Sequence, residues 1–250
     1  MKKWKHVIVK HGGKVVDELT DMVTHVITPD MCNEISRLAA NKGLRLVTSS
    51  WLNDCITTMQ MIPPHKGVHF PHPEKSKTDI SHMKLTITGF EGLDREYIKD
   101  MIKMTGASFS AYFDHENDVL ICRDNKGEKY KKSLEWGVPA VSIDWLNDVV
   151  FGIVDVADKL HDPVYKIFDG TRDALFINSD LVSYHLKAWR DPIVETKSEY
   201  FESEDEFKIK FEVKKEEKLY EEKVNIFRQP YDIKYSLKLY MPYCCIVSIM

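Results

Sequence analysis

The feature that most constrains the fold of this chain is an internal repeat with a constant offset. The segment Trp51-Leu52-Asn53-Asp54 recurs as Trp145-Leu146-Asn147-Asp148, 94 residues later. An internal repeat decides the fold of the whole chain, so its extent matters more than any single element. The same offset pairs Gly12 with Gly106, Ile8 with Ile102, Ile27 with Ile121, Gly43 with Gly137 and Val47 with Val141. The sequence therefore predicts two copies of one domain, at residues 1–69 and 82–168.

Each copy contains the same series of elements. An amphipathic helix comes first, and Gly12 or Gly106 is expected to end it, since helix C-termini favour glycine. Strands are predicted at 15–16, 25–28 and 44–47, and again at 109–111, 119–122 and 139–141. Helices are predicted at about 32–42 and 128–136. Trp51 and Trp145 lie in a final helix, where they are expected to anchor the core. Strands that alternate with helices indicate an α/β fold with a parallel sheet.

Composition excludes several classes of function. The 250 residues carry a net charge of −4, so no overall basic charge indicates nucleic-acid binding. No apolar run approaches the roughly 18–20 residues of a membrane helix, and the N-terminus lacks a secretion signal. The five cysteines have neither disulfide-scaffold nor zinc-site spacing. A Gly-rich phosphate loop and a serine-nucleophile motif are also absent from the sequence. We therefore expect an intracellular protein that is not an enzyme and needs no cofactor or metal.

The segments outside the repeats are polar or charged. Residues 70–81 are predicted to form a linker, and His65, His69 and His72 are expected to be solvated rather than metal-bound. Residues 169–195 form an extension, and residues 196–250 a charged tail. Within the tail, residues 199–224 are predicted to be a solvated helix or disordered, because charges are dense and apolar residues few. The apolar end of the tail could dock on the repeats, and the adjacent Cys244 and Cys245 are expected to have no role.

Several motifs resemble the BRCT domain. In the first copy these are a Gly-Gly turn, a Thr-His-Val-Ile strand and the pattern Gly-x-x-x-Val-x-x-x-Trp-Leu. The second copy adds Thr-Gly-Phe at residues 88–90 and Lys-Tyr-x-x-Ser-x-x-Trp-x-Val-Pro at residues 129–139. The resemblance covers about residues 7–194. It implies an α/β protein with two tandem BRCT domains, each a small parallel four-stranded sheet flanked by helices.

The resemblance also implies a phosphate-binding pocket, since BRCT repeats read phosphoserine and phosphothreonine. The family pocket combines a Ser or Thr hydroxyl, the amide of the following glycine and a lysine from the second helix. These groups suit a phosphate, which carries about −1.5 to −2 charges and several acceptor oxygens. In the second copy they correspond to Thr88, Gly89 and Lys129, with Lys132 as a competing candidate. The alternative is an ordinary strand-to-helix turn beside a solvated lysine face.

The first copy lacks this pocket and its first strand. The repeat offset places Ile35 where the second copy has Lys129, with Arg37 the nearest cation, and places the strand before Met1. Since that strand is central in BRCT sheets, its loss would leave neighbouring strands without ladder partners. Three explanations remain open: an incomplete N-terminus, a substitute strand from the tail, or a degenerate domain held by the second copy. The alternating residues 207–213 are the candidate substitute. We favour the incomplete N-terminus.

The resemblance implies a non-catalytic nuclear scaffold in DNA-damage signalling or chromatin regulation. Its expected partners are phosphorylated nuclear proteins and subunits of a histone-methyltransferase complex of the MLL3/MLL4 type. One alternative is protein binding independent of phosphorylation. Another is DNA-end binding by a basic strip on the first helix, although a solvated face is favoured there. A nucleotide-binding enzyme is disfavoured by the missing motifs. The strip consists of Lys2, Lys3, Lys5, Lys10 and Lys14.

Overall fold

A computed structural model describes residues 2–74, 76–170, 172–190, 193 and 245–248. The strands are β1 (Lys14–Val16), β2 (His25–Ile27), β3 (Arg45–Val47), β4 (Lys84–Thr88), β5 (Ser108–Phe109), β6 (Val119–Cys122), β7 (Ala140–Val141) and β8 (Cys245–Ser248). The helices are α1 (Lys2–Lys10), α2 (Glu34–Asn41), α3 (Ser49–Thr58), α4 (Gly92–Met104), α5 (Gly127–Trp136), α6 (Ile143–Phe151) and α7 (Ser183–Leu186). In this part of the chain no helix combines the length and apolar character needed to cross a bilayer.

The second repeat forms a parallel sheet in the order β5-β4-β6-β7. Side chains of a strand alternate between the two faces, so β6 contributes to two separate cores. Val119 and Ile121 pack in the large cluster that includes α4 and α6, whereas Leu120 and Cys122 pack on the opposite face near Tyr130 of α5. Burial on both faces explains why this strand is apolar throughout rather than alternating. The predicted α/β architecture is confirmed.

The first repeat has an equivalent sheet whose central strand comes from the tail. The strand order is β1-β8-β2-β3, and β8 runs parallel to both neighbours. It occupies the position that β4 holds in the second repeat. A substitute strand therefore completes this sheet, but it is residues 245–248 and not the candidate 207–213, which lies outside the described residues. The apolar end of the tail docks on the repeats through this strand.

The repeat-defining tryptophans and glycines have different roles. Trp51 and Trp145 are both 0% exposed. Their indole N–H groups donate to the carbonyls of Ile62 at 2.8 Å and Val156 at 3.1 Å, eleven residues further along in each repeat. Gly12 and Gly106 are exposed, with φ of +89° and +82°, just beyond α1 and α4. The tryptophans thus fill the cores, while the glycines supply the left-handed backbone that ends each first helix.

The segment between the repeats is packed rather than solvated. It contains a 3-10 turn, Gly67–His69, and Val68, His69 and Phe70 are all buried. A Cβ on Gly67 would lie 2.6 Å from Asn147 Oδ1 on α6, so no larger residue fits between the segment and the second repeat. The expectation of a solvated histidine linker was therefore wrong for His69. The polar sequence concealed a segment that forms part of the contact between the repeats.

The extension after the second repeat returns to the first. The Trp189 ring lies edge-on to Trp51 and to His25, with centroid distances of 5.6 and 5.4 Å. The guanidinium of Arg45 lies 4.6 Å from the centre of the Trp189 ring, and Arg45 Nε donates to the carbonyl of Ala188 at 3.2 Å. Residues 187–190 of the extension therefore pack against the first repeat, although they follow the second repeat in the chain.

Buried histidines should make the fold sensitive to acid. Burial, with a smaller contribution from Arg45, lowers the pKa of His25 to about 3, and burial lowers that of His185 to about 4. Below about pH 6.5 the unfolded chain binds protons that the folded chain does not, so stability falls as the pH decreases. Each such histidine costs about 1.4 kcal/mol per pH unit in that interval. Urea unfolding at pH 7, 5.5 and 4.5 measures the loss, and His25→Phe should reduce its slope. An unchanged midpoint across this range would contradict the prediction.

Candidate functional site

The carboxyl end of β4 presents two unengaged polar groups. Thr88 ends the strand half-buried, and Gly89 follows with φ of +80°. A Cβ on Gly89 would meet Arg123 Cβ at 3.0 Å, so the close approach and the left-handed backbone both favour glycine. Among the described residues, neither the Thr88 hydroxyl nor the Gly89 amide makes a hydrogen bond. A hydroxyl and an amide N–H are therefore both available at this point.

The N-terminus of α4 lies directly beyond this turn. Its N-cap residue, Glu91, makes no side-chain hydrogen bond to the first turn of the helix. The first amides of a helix have no intrahelical partner, and they carry the positive end of the helix dipole. An anion held by Thr88 and Gly89 would lie next to that end. The backbone at residues 88–92 thus has the character of an anion-binding turn.

The side chain of Lys129 extends from α5 to β4, where it contacts the residues that precede Thr88. Its Nζ donates to Thr86 Oγ1 at 3.2 Å, to the Ile87 carbonyl at 3.3 Å and to the Ala111 carbonyl at 3.1 Å. An ammonium has three N–H donors, so all of them are used. Burial, and then the positive charge of Arg95, lower the pKa of Lys129. The fold holds this cation beside the strand end, where a phosphate would have to take over at least one of its hydrogen bonds.

Two arginines join this site without having been identified from the sequence. Arg95, on the second turn of α4, lies near enough to Lys129 to lower the pKa of that lysine. Arg123 follows β6, where its amide donates to the Thr88 carbonyl at 3.1 Å. Its guanidinium lies 4.0 Å from Asp94 and 3.4 Å from the Gly170 carbonyl. The carboxyl ends of adjacent parallel strands share an edge, which was the one signal that could have placed Arg123 beside Thr88.

Lys132 lies away from this group. Its Nζ is 5.4 Å from the centre of the Trp136 ring, along the exposed face of α5. The structure thus places Lys129 against Thr86 and Ile87, the residues that directly precede Thr88 and Gly89. We call Thr88, Gly89 and Lys129 the β4 pocket, and Lys132 lies outside it.

The first repeat has no corresponding pocket within the described residues. Ile35, at the position of Lys129, is 45% exposed, and Arg37 pairs with Glu74 at 3.0 Å. Although β8 restores the central strand, Ser248 is followed in the sequence by Ile249 and Met250. Neither residue supplies a hydroxyl or a glycine amide. The two repeats therefore share a sheet architecture but not a binding site.

A second polar group, the inter-repeat cluster, consists of Asp54, Lys66, His69 and Tyr97. Asp54 on α3 of the first repeat accepts hydrogen bonds from Lys66 Nζ at 2.8 Å and His69 Nε2 at 3.1 Å through Oδ2. Its Oδ1 accepts from the Tyr97 hydroxyl on α4 of the second repeat at 3.0 Å. The cluster therefore connects the two repeats through one carboxylate.

The electrostatics of the inter-repeat cluster favour a fixed charge pair. Burial alone would raise the pKa of Asp54, but the hydrogen bonds and charge of its partners outweigh it, and the pKa lies well below its usual value. Burial lowers the pKa of His69 despite Asp54, so this ring is neutral. With Nε2–H donating to Asp54, Nδ1 accepts from the His65 amide at 3.4 Å. Asp54 and Lys66 are thus the charged pair, and within the described chain no group of side chains has a metal-binding arrangement.

Comparisons with known proteins agree with this architecture. A twin BRCT domain model matches residues 83–145, and a BRCT domain model matches residues 1–66. PAX-interacting protein 1 of Bos taurus is 33% identical over 192 residues, which are 76% of this chain and 19% of the relative. The Danio rerio protein of the same name is 34% identical over 192 residues, 76% of this chain and 20% of the relative. The chain thus spans about a fifth of the length of these curated relatives.

A solved structure supports the fold. A chain in the crystal structure of yeast Rtt107 and Mms22 matches with a TM-score of 0.56 and 19% identity, over 66% of this chain and 40% of that chain. The repeats, their parallel sheets and the two domain matches lead to one conclusion. This chain belongs to the BRCT family, as a tandem BRCT-domain protein similar to PAX-interacting protein 1.

Proposed function

We propose that this chain is a non-catalytic nuclear adaptor that binds phosphorylated partner proteins through the β4 pocket. The observation that carries the proposal is the unengaged Thr88 hydroxyl and Gly89 amide beside the uncapped start of α4. Lys129 supplies a cation next to Thr86 and Ile87, the two residues before Thr88, and Arg95 and Arg123 add positive charge near this strand end. A hydroxyl, an amide and a cation are the groups a phosphate monoester needs for charge-assisted hydrogen bonds.

The asymmetry between the repeats defines how such a partner binds. In its described residues the first repeat offers no hydroxyl–glycine pair and no cation at the equivalent place, so the proposal assigns the phosphate to the second repeat alone. As the BRCT resemblance implies, we place these partners in DNA-damage signalling and chromatin regulation. We include among them subunits of a histone-methyltransferase complex, together with other phosphorylated nuclear proteins.

The test is a phosphopeptide library titrated against the wild-type chain and Lys129→Met. We expect the variant to bind the selected phosphopeptides at least about tenfold more weakly, because a hydrogen bond to a charged group contributes about 1.5–3 kcal/mol. Methionine keeps the unbranched side chain and removes only the charge and donors. Circular dichroism of both proteins checks that the second repeat remains folded.

Lys132→Met is the matched comparison, since it removes the same charge from the same helix. It should retain affinity within about twofold, because an exposed charge contributes little at a distance. A loss with Lys132→Met and none with Lys129→Met would show that the pocket has been assigned to the wrong lysine.

A second function, phosphorylation-independent protein binding, is favoured by one observation. All three N–H donors of Lys129 are already engaged with acceptors of the fold. If this arrangement persists in complexes, the lysine is structural and the partner binds elsewhere on the repeats. Equal affinity for a partner peptide with and without its phosphate would establish this function in place of the first.

A further inference from the structure

The first repeat contains a slot between two strands that do not pair with each other. The strand β1 lies on one side of the slot and β2 lies on the other. Among the described residues, each of them pairs with β8, which lies between them. In the second repeat the corresponding strand, β4, is joined to α4 by residues 89–91. In the first repeat the strand begins 52 positions beyond Ile193, the last described residue before it. The slot is therefore filled by a segment distant in sequence.

The register shows that the slot accepts one strand and engages both of its edges. Val247 lies opposite Val16 on β1 and Val26 on β2, and Ile246 is likewise paired on both sides, whereas Ser248 pairs with β2 alone. The β2 strand is completely buried, with β3 on its far side. Removing β8 would leave N–H and C=O groups of the buried β2 and the half-buried β1 without partners, which is unfavourable. An empty slot would therefore bind an extended strand favourably.

Recognition in this slot is mainly through the backbone. Strand addition obtains its affinity from main-chain hydrogen bonds, and side chains only select among sequences of suitable shape. The occupant is four residues long, and its sequence, Cys-Ile-Val-Ser, contains no charged and no aromatic residue. Among the described residues, this strand is joined to the repeat by its pairing with β1 and β2 and not through a neighbouring loop.

We propose that the slot between β1 and β2 is a strand-acceptor site, and that the carboxyl-terminal segment containing β8 is its detachable ligand. An apolar peptide in extended conformation, parallel to β1 and β2, can then take its place. This site is separate from the β4 pocket, which lies in the other repeat, and it needs no phosphate.

The experiment uses the full chain with Val247→Pro, since proline removes an N–H donor and is not accommodated in a central strand. Amide exchange measured by mass spectrometry should be about tenfold faster or more at Lys14–Val16 and His25–Ile27, because these amides open locally without β8. The β6 amides in the second repeat should be unchanged. Val247→Ile is the matched control, because it keeps the backbone donor and an apolar β-branched side chain, and it should leave exchange close to that of the wild type.

The second step adds the strand in trans. A synthetic peptide with the sequence of residues 243–250, carrying Cys244→Ser and Cys245→Ser to prevent disulfides, is titrated into the Val247→Pro chain. Restored protection of β1 and β2 supports the acceptor site, provided that the same peptide with Val247→Pro has no effect. A dimeric mass in the wild type that is absent in Val247→Pro supports it as well, with β8 exchanged between copies.

Two results would overturn the proposal. If Val247→Pro leaves protection of β1 and β2 as in the wild type, β8 does not hold the slot. If protection is lost and saturating peptide does not restore it, β8 is a fixed part of the first repeat and not a detachable ligand. Neither result depends on the Lys129 titrations, which measure the second repeat.

Discussion

Replacing Trp145 with alanine should destabilise the chain by about 3–5 kcal/mol, the usual cost of removing a large aromatic residue from a core. The indole is 0% exposed within the cluster that joins the sheet to α4 and α6, and its N–H bond to the Val156 carbonyl is lost as well. Because domains have a total stability of only about 5–15 kcal/mol, the second repeat should be partly unfolded at 37 °C. Urea unfolding followed by far-UV circular dichroism measures the change.

Trp136→Ala is the control for this prediction. Trp136 is 40% exposed at the end of α5, where it contacts Phe113, and its removal should cost less than about 1 kcal/mol. Under the proposed function the second repeat holds the phosphate, so phosphopeptide binding should fall with Trp145→Ala and persist with Trp136→Ala. Similar unfolding midpoints for the two variants would show that Trp145 does not anchor the core.

Asp54→Ala should destabilise the chain by about 3 kcal/mol, because it leaves the largely buried Lys66 ammonium without its partner. The same change removes the acceptor of His69 and of Tyr97, so the contact between the repeats is lost with it. We expect a single urea transition in the wild type to separate into two. Circular dichroism reports the total change, and amide exchange in each repeat identifies which one unfolds first.

Asp148→Ala is a control that the repeat itself provides. Asp148 is the counterpart of Asp54, but the only hydrogen bond to its carboxylate among the described residues is from the Tyr165 hydroxyl, at 2.7 Å. Its replacement should cost about 1 kcal/mol, the value of one hydrogen bond. Because the pKa of Asp54 is lower in the fold than in the unfolded chain, its contribution is complete above about pH 4 and decreases at lower pH. Equal costs for both variants at pH 7 would contradict this account of the cluster.

Local sequence patterns predicted most of the repeat architecture, but not which segment supplies the central strand of the first sheet. The strand at residues 119–122 and the buried tryptophans follow from short apolar runs and from the repeat register, which are local signals. The choice of β8 is not local, because a central parallel strand needs only a few apolar residues and a place in the sheet. Residues 207–213 alternate more clearly, but alternation indicates a half-buried strand, which is not what this slot accepts.

Only the site residues that belong to a sequence motif could be predicted. Thr88, Gly89 and Lys129 were identified from the BRCT resemblance, and the structure places Lys129 against the residues that directly precede Thr88 and Gly89. Arg95 and Arg123 lie on different elements and belong to no motif, so only the shared edge of the sheet relates them. His69 was misjudged because its polar neighbours indicated solvent, whereas one carboxylate on another helix makes its burial acceptable.

The origin of β8 reverses the usual order of domain folding during synthesis. An N-terminal domain normally folds while the rest of the chain is still being made. Here the second repeat has all of its strands once residue 141 has been made, but the sheet of the first repeat is completed only after residue 248. Its central pairings join residues more than 200 positions apart, and such non-local contacts form slowly. Of the two repeats, the one that precedes the other in the chain is therefore expected to complete its sheet last.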